Sequence, residues 1–294
     1  RVISEIIDMP SPKQILINGS PFVFLSEREV HLRDVFSWTP LGSFRIDSES
    51  VNGTIWANGI HKHLLLPKLS NGISRINLAE TDERHEALHR PGPVNSILIA
   101  QNNLFTGGGG NPLESYEING DSLLAAQLLR GEMTSVTDLA QSGSQLYALY
   151  ADEKKVLVFG MANFNEAPAV RDSFSILINN ANQLKALDSL FLVIGRNQIE
   201  VHSETFGEVV WNFDKPIIEV EVQNNLLYIT NRFGSIAAYI IQEDLSLSKC
   251  SERDLTGTGW VMESYDNNMF VFTGNTLTSF SGCLDLDTIV HLPL

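Results

Sequence analysis

Two stretches of the chain carry residue types able to do chemistry. His61 and His63 lie two apart, so a strand would put both imidazoles on one face, and His85 and His89 follow with Glu80, Asp82, Glu83 and Glu86 close by. A zinc-type site needs three or four such ligands to converge. A stretch this polar is expected to be wet, so these side chains are expected at the surface and no metal is assigned to them. The run "TGGGGN" at 106–111 has the glycine density of a phosphate cradle, but such cradles work by leading a strand into a helix whose N-terminus faces the anion. Here strand-like residues follow, so a turn between two strands is expected. No G-x-S-x-G elbow and no Walker loop occurs. No catalytic residue, metal or cofactor is expected.

Whatever sits on these stretches must be positioned by strands. Short runs rich in Val, Ile, Leu, Phe and Tyr recur behind turn-forming pairs. They begin near Phe22, Leu64, Leu104, Leu146, Leu190, Leu226 and Met269. Seven starts spaced by about 36 to 44 residues, with a mean near 41, match the period of a four-stranded propeller blade. Some of the turns share a word: "QNN" at 101–103 and 223–225, and "DNN" at 266–268. Asn-Asn, Gly-Ser and Asp-Ser pairs tolerate the positive φ of tight hairpins, so the word repeats because the blade does. In the sixth unit four strands can be read directly, at 217–223, 226–230, 235–241 and 245–251. The segment 121–133 has an Asp start and a Gly stop that would suit a short helix. It falls where a blade needs its outer strand, and a strand is expected.

Composition narrows the possible partners. The 294 residues carry 35 acidic and 20 basic side chains, a formal charge of −15, and are 43% hydrophobic. That supports a large core and opposes general binding to phosphate backbones, so nucleic acid is not an expected partner. No apolar run approaches the length of a membrane span, and the first 20 residues lack a basic-then-apolar leader pattern, so a soluble domain without membrane insertion is expected. The cytoplasm is the default compartment; periplasm or secretion is the alternative if a signal peptide once preceded Arg1. Cys250 and Cys283 lack zinc-site spacing, and two buried free thiols are expected rather than a bridge. With no linker or low-complexity break, residues 1–294 are expected to form one domain.

The segment 28–46, "REVHLRDVFSWTPLGSFRI", resembles the third and fourth strands of a WD-repeat β-propeller blade, with Arg33-Asp34 where that family often has Trp-Asp. The runs "KVLVFG", "IEVHSETFGEVVWNF" and "SIAAYIIQED" are similar in layout, although the Gly-His and Trp-Asp signature pairs are missing throughout. The resemblance implies an all-β, seven-bladed β-propeller of four-stranded antiparallel blades. The termini, 288–294 and 1–7, compete for the outer strand of the last blade, and pairing them would remove an exposed edge.

This architecture would place the turns between second and third strands, and the links between blades, at one end of every blade. Arg28, Lys68, Lys154, Lys155, Arg196 and Arg232 fall in such turns, and many acids, among them Asp34, Asp188, Glu243, Asp244 and Asp266, fall at the other end. A mixed or mildly basic interaction face and an acidic reverse are expected, a distribution that steers association. Arginine and exposed aromatics dominate binding hot spots, so Arg28, Arg196, Arg232 and Phe233 are the expected partner-binding residues. Trp38, Trp56, Trp211 and Trp260 are expected to pack between blades or at their edges, Trp211 as a half-buried strand residue. The resemblance implies a scaffold for a protein or peptide partner. The alternative is a propeller enzyme with an axial site, of the sugar-lactone hydrolase or quinone-dependent dehydrogenase type. Fold alone does not decide between them.

Overall fold

The computed structural model describes residues 2–3, 12–17, 21–34, 39–46, 52–58, 61–70, 72–79, 86–88, 92–108, 111–119, 122–124, 127–129, 135–161, 168–188, 190–203, 205–255, 260–273 and 276–291. Its regular structure is β-strand, in seven antiparallel meanders that follow one another along the chain.

The second strands explain why. In Gln145–Tyr150 five successive residues are buried, so both faces of the strand are covered, as expected for a sheet stacked between two others. Alternation divides them. Leu146, Ala148 and Tyr150 pack with Phe105 and Leu113 of the preceding sheet and with Val136 of the link between the two. Tyr147 and Leu149 pack with Leu184, Phe191 and Val193 of the following one. Each fully buried Leu or Phe contributes about 1.5–3 kcal/mol of transfer free energy. The fourth strand at Ala169–Ser175 is mostly exposed, in keeping with its place at the sheet's outer edge.

Blade 1 comprises Gln14–Ile17, Phe22–Leu25, Glu29–Arg33 and Pro40–Arg45; blade 2, Thr54–Asn58, His61–Pro67, Ile73–Asn77 and Glu86–Leu88. Blade 3 has Ser96–Ala100, Asn103–Gly108 and Asn111–Asn119, with its outer position filled by two short pieces, Ser122–Leu123 and Gln127–Leu128, each paired to the third strand. The segment 121–133 therefore supplies strand, as expected. Blade 4 comprises Asp138–Ser142, Gln145–Tyr150, Lys155–Gly160 and Ala169–Ser175; blade 5, Gln183–Leu187, Leu190–Ile194, Gln198–Ser203 and Gly207–Asn212. Blade 6 is Ile217–Gln223, Leu226–Asn231, Ser235–Ile241 and Leu247–Asp254; blade 7 is Trp260–Tyr265, Asn268–Thr273, Thr276–Ser281 and Asp285–His291. The fold is an all-β, seven-bladed β-propeller.

By compactness the chain divides into two units. One holds Arg1–Ser48, Arg196–Gln198 and Trp211–Leu294; the other holds Glu49–Gly195 and Ile199–Val210. In the second unit the cores lie between blades 2 and 3, around Trp56, Leu65, Leu104 and Ile118, and on either side of blade 4. In the first, Tyr228, Ile236, Met269 and Phe280 pack between blades 6 and 7. Phe22 and Phe24 of blade 1 pack against Phe270 and Phe272 of blade 7, with ring centroids 5.2 and 6.2 Å apart.

The turn words behave as expected, with one refinement. Gln101 and Asn102 adopt φ of 47° and 64°, and Asp266 and Asn267 adopt 46° and 61°. In the other "QNN" the two-residue turn is Asn224-Asn225, closed by the Gln223–Leu226 pair, whereas Ala100–Asn103 closes the turn at Gln101-Asn102. The same letters thus sit one residue out of register. Burial decides the alignment: Leu104, Leu227 and Met269 are the equivalent fully buried positions.

The termini do not compete. Asp285–His291 takes the outer place in blade 7, and Val2–Ile3 pairs parallel to it as a fifth strand, Val2 opposite Ile289 and Ile3 opposite Val290. The expectation of two free thiols is corrected. Cys250, on the outer strand of blade 6, is bridged to Cys283, in the last turn of blade 7, with Cα atoms 5.8 Å apart. The stacking of neighbouring blades brings together residues 33 apart in sequence. Beside the bridge the Arg253 guanidinium donates to the Leu284 carbonyl at 2.7 Å.

Two first-strand carboxylates also tie neighbouring blades. Asp138 of blade 4 accepts the Leu184 N–H of blade 5 at 2.8 Å, the Leu139 N–H at 2.9 Å and the Ser96 hydroxyl of blade 3 at 3.3 Å. Burial raises its pKa above the usual value in spite of these donors. In the other unit, Glu219 of blade 6 accepts the Met262 N–H of blade 7 at 2.8 Å.

Candidate functional site

The "NRFG" turn of blade 6 is built to project its central residues. Asn231 is buried, and its side-chain carbonyl accepts the Phe233 N–H at 2.9 Å while its main-chain carbonyl accepts the Gly234 N–H at 3.2 Å. Gly234, at φ 90°, supplies the left-handed conformation that closes so short a loop. Arg232 and Phe233 are left outside, Phe233 with 73% of its surface exposed. Arg196 tips the equivalent turn of blade 5. The two turns meet on the link between these blades: the Ile217 N–H donates to the Arg196 carbonyl at 2.6 Å, and the Arg232 N–H donates to the Pro216 carbonyl at 3.1 Å. Main-chain hydrogen bonds through Pro216 and Ile217 thus tie the turn of Arg196 to that of Arg232 and Phe233.

Arg28 occupies the corresponding turn of blade 1, where the buried Ser26 hydroxyl accepts the N–H groups of Arg28 and Glu29 at 3.4 and 3.0 Å. No contact among the described residues joins it to the other three. The side chains of Arg28, Arg196 and Arg232 are exposed and have no ion-pair or hydrogen-bond partner among the described residues. Acids share the same kind of turn, Glu27 in blade 1 and Asp152 and Glu153 in blade 4. Between blades 5 and 6, Lys215 pairs with Glu252 at 2.8 Å, and Lys249 pairs with the same carboxylate.

The other candidates resolve differently. Gly107 and Gly108 of the glycine run lie in the second strand of blade 3, where a Cβ would strike Val136 and the Pro93 carbonyl oxygen respectively. These glycines serve close packing at a strand end, and Asn111 opens the next strand. His63 is corrected from the surface to the interior: it is buried against Trp56, ring centroids 5.1 Å apart. His85, His89, Glu80, Asp82 and Glu83 lie outside the described residues, as do the side chains of His61 and Glu86. Trp56 is buried, and Trp211 is buried more fully than the expected half-buried strand residue, donating its indole N–H to the Leu245 carbonyl at 2.9 Å; Trp38 and the side chain of Trp260 lie outside the described residues.

One constellation escaped the sequence. On the third strand of blade 5, Glu200 and His202 are spaced i, i+2 and so share a face. Glu200 is fully buried; one oxygen accepts the N–H groups of Leu177 and Ile178 at 2.7 and 3.0 Å, and the other lies 2.8 Å from His202 Nε2. Burial alone would raise its pKa, but the imidazole and the two main-chain donors outweigh it and hold the carboxyl below its usual value. A carboxylate only accepts, so the proton of the neutral imidazole belongs on Nε2 and Nδ1 keeps its lone pair. Nδ1 faces Glu208, on the adjacent strand, across 3.9 Å. The ring stacks on Phe191 at 4.5 Å and meets Phe174 edge-on at 5.4 Å. It also lines a cleft of about 160 Å³ with Tyr147, Arg171, Asp172, Phe174 and Ser203. The signal was the E-x-H spacing, visible only once the strand and its hairpin partner are in register.

No protein-family model and no curated sequence matches the chain. Solved structures do. A computationally designed protein, Ika8, superposes with a TM-score of 0.70 at 10% identity, covering 98% of this chain and 89% of the other. The WD40 repeats of RRP9 give 0.68 at 12% identity over 92% and 90%. Hsv2 from Kluyvelomyces marxianus gives 0.68 at 8% over 97% and 100%. The chain shares the β-propeller architecture of these structures. At these identities the likeness concerns the fold alone, and the function of the propeller has to be argued from its own residues. Among the described residues no helix is long and apolar enough to cross a membrane.

Proposed function

We propose that this propeller is a scaffold that docks a protein or peptide partner on the patch of Arg196, Arg232 and Phe233, with Arg28 as a further contact. The observation that carries the proposal is the exposure of Phe233, 73%, on a turn whose buried Asn231 and positive-φ Gly234 hold it outward. An exposed aromatic fixed in place loses little conformational freedom on binding, and two unpaired guanidinium groups beside it suit the carboxylates of a partner. The fitting partner is a segment that places an apolar side chain next to acids. The WD40 repeats among the superposable structures make a protein partner the natural class. The first-strand carboxylates Asp138 and Glu219 are engaged by main-chain N–H groups of the next blade, which leaves them poorly placed for an axial active site.

The test is affinity capture from the source extract with the native chain and with a variant carrying Arg28→Glu, Arg196→Glu, Arg232→Glu and Phe233→Ala, both verified as folded. A stoichiometric partner retained by the native chain and lost by the variant supports the proposal. Equal retention by both places the binding surface elsewhere and rejects it.

A further inference from the structure

We propose that His202 Nδ1 and the Glu208 carboxylate form a binding site for a borderline divalent transition metal of the zinc class, with buried Glu200 as the positioning residue. The three side chains offer ligand atoms that all lie within 4.8 Å of one another. The arrangement is that of a carboxylate–histidine–metal relay. A metal-bound imidazole characteristically hands its other N–H to a carboxylate, which fixes the ring and raises its basicity. Glu200 holds that position at 2.8 Å from Nε2, itself fixed by the Leu177 and Ile178 N–H groups.

The opposite nitrogen is the independent indication of a ligand. The His202 side chain is only 5% exposed, yet Nδ1 makes no hydrogen bond and points at an oxygen 3.9 Å away, too far to be one. Metal–nitrogen and metal–oxygen bonds of about 2.0–2.2 Å at a tetrahedral centre bring such atoms to roughly 3.4 Å. Glu208, with 53% of its side chain exposed, has only about half an ångström to close. No lysine or arginine pairs with either glutamate among the described residues, so the local negative charge is left for a cation. One imidazole and one carboxylate favour zinc, cobalt, nickel or copper over calcium or magnesium, which take oxygen ligands. With two protein ligands the remaining positions are open to water or to a donor from outside. Two aromatic neighbours pack His202 and keep its ring from swinging away: Phe191 stacks on it and Phe174 meets its edge.

The experiment uses the whole chain, freed of metal, titrated with Co²⁺ and Zn²⁺. Visible absorption of the cobalt form reports affinity, and imidazole ¹⁵N–¹H correlation spectra of the zinc form report which nitrogen is ligated. One site per chain is expected, with His202 ligated through Nδ1 and protonated on Nε2. Glu208→Gln, on an exposed side chain that leaves the core intact, should weaken binding at least tenfold. Glu200→Gln should weaken it about 10- to 100-fold while the Glu208 ligand remains. The proposal is overturned by affinity within twofold of native in Glu208→Gln, by ligation through Nε2, or by no stoichiometric binding at millimolar metal.

Discussion

Removing the Cys250–Cys283 bridge should cost the propeller a definite and measurable stability. The bridge closes a loop across a separation of 33 residues. Chain-entropy bookkeeping for a loop of that size gives roughly 12–13 cal/mol/K, or about 3.7 kcal/mol at 25 °C. Both cysteines are only half-buried, so replacing them with serine leaves little cavity, and the loop term should dominate. For a chain of 294 residues that unfolds cooperatively, unfolding entropy near 2.1 cal/mol/K per residue converts the loss into a drop in Tm of about 6 °C. The assay is urea unfolding and calorimetry of Cys250→Ser/Cys283→Ser against the unreduced native chain, with thiol titration of both after denaturation. The expected native count is zero thiols. Two titratable thiols in the unreduced native protein, or a stability difference below about 1 kcal/mol, would refute the reasoning. A bridge that persists in the purified protein also favours an oxidising compartment over the cytoplasm.

Other consequences are as direct. Asp138→Ala leaves the buried N–H groups of Leu184 and Leu139 without their acceptor and should lower stability by about 2–4 kcal/mol in urea unfolding; Asp138→Ala within about 0.5 kcal/mol of native would deny the clamp. Gly108→Ala drives a Cβ into the main-chain oxygen of Pro93, which cannot yield as a flexible side chain would; a loss of about 2 kcal/mol or more is expected by the same measurement. The Glu252 carboxyl, held by Lys215, Lys249 and the Ser235 hydroxyl, has its pKa lowered from 4.5 to about 2. A depressed folded-state pKa means stabilisation present above about pH 4.5 and lost as pH falls toward 2. Glu252→Gln should therefore flatten the acid limb of the stability profile in that window, and an unchanged limb would count against the ion pairs.

Much of this propeller is legible in its sequence, because a blade is a local object. The second strands near Leu146, Leu190 and Leu226 announce themselves by apolar runs behind turn pairs, and the pairs are dictated by φ at single residues such as Asn102 and Asn224. Four-strand meanders follow from short connections. What the sequence does not carry is the stacking of one blade on the next. Cys250 and Cys283 are separated by 33 residues, which is not the repeat, and they occupy unlike places in their blades. The word "QNN" misleads by one residue, since the letters of a turn do not say which pair closes it; burial of Leu227 rather than Leu226 does. The projecting residues Arg196, Arg232 and Phe233 were visible as turn tips. Their union through Pro216 and Ile217 was not, and neither was the approach of Glu208 to His202, which needs the register of a hairpin.

The most direct test of the binding patch is site-specific photocrosslinking in the source extract. A benzophenone amino acid replaces Phe233 in one protein and Glu243 in another; Glu243 is also exposed but lies in the turn at the opposite end of blade 6. Phe233 should give a single crosslinked partner in good yield, abolished by adding Arg196→Glu and Arg232→Glu, while position 243 should give none. Crosslinking from 243 alone, or a partner at 233 indifferent to the two charge reversals, would contradict the assignment.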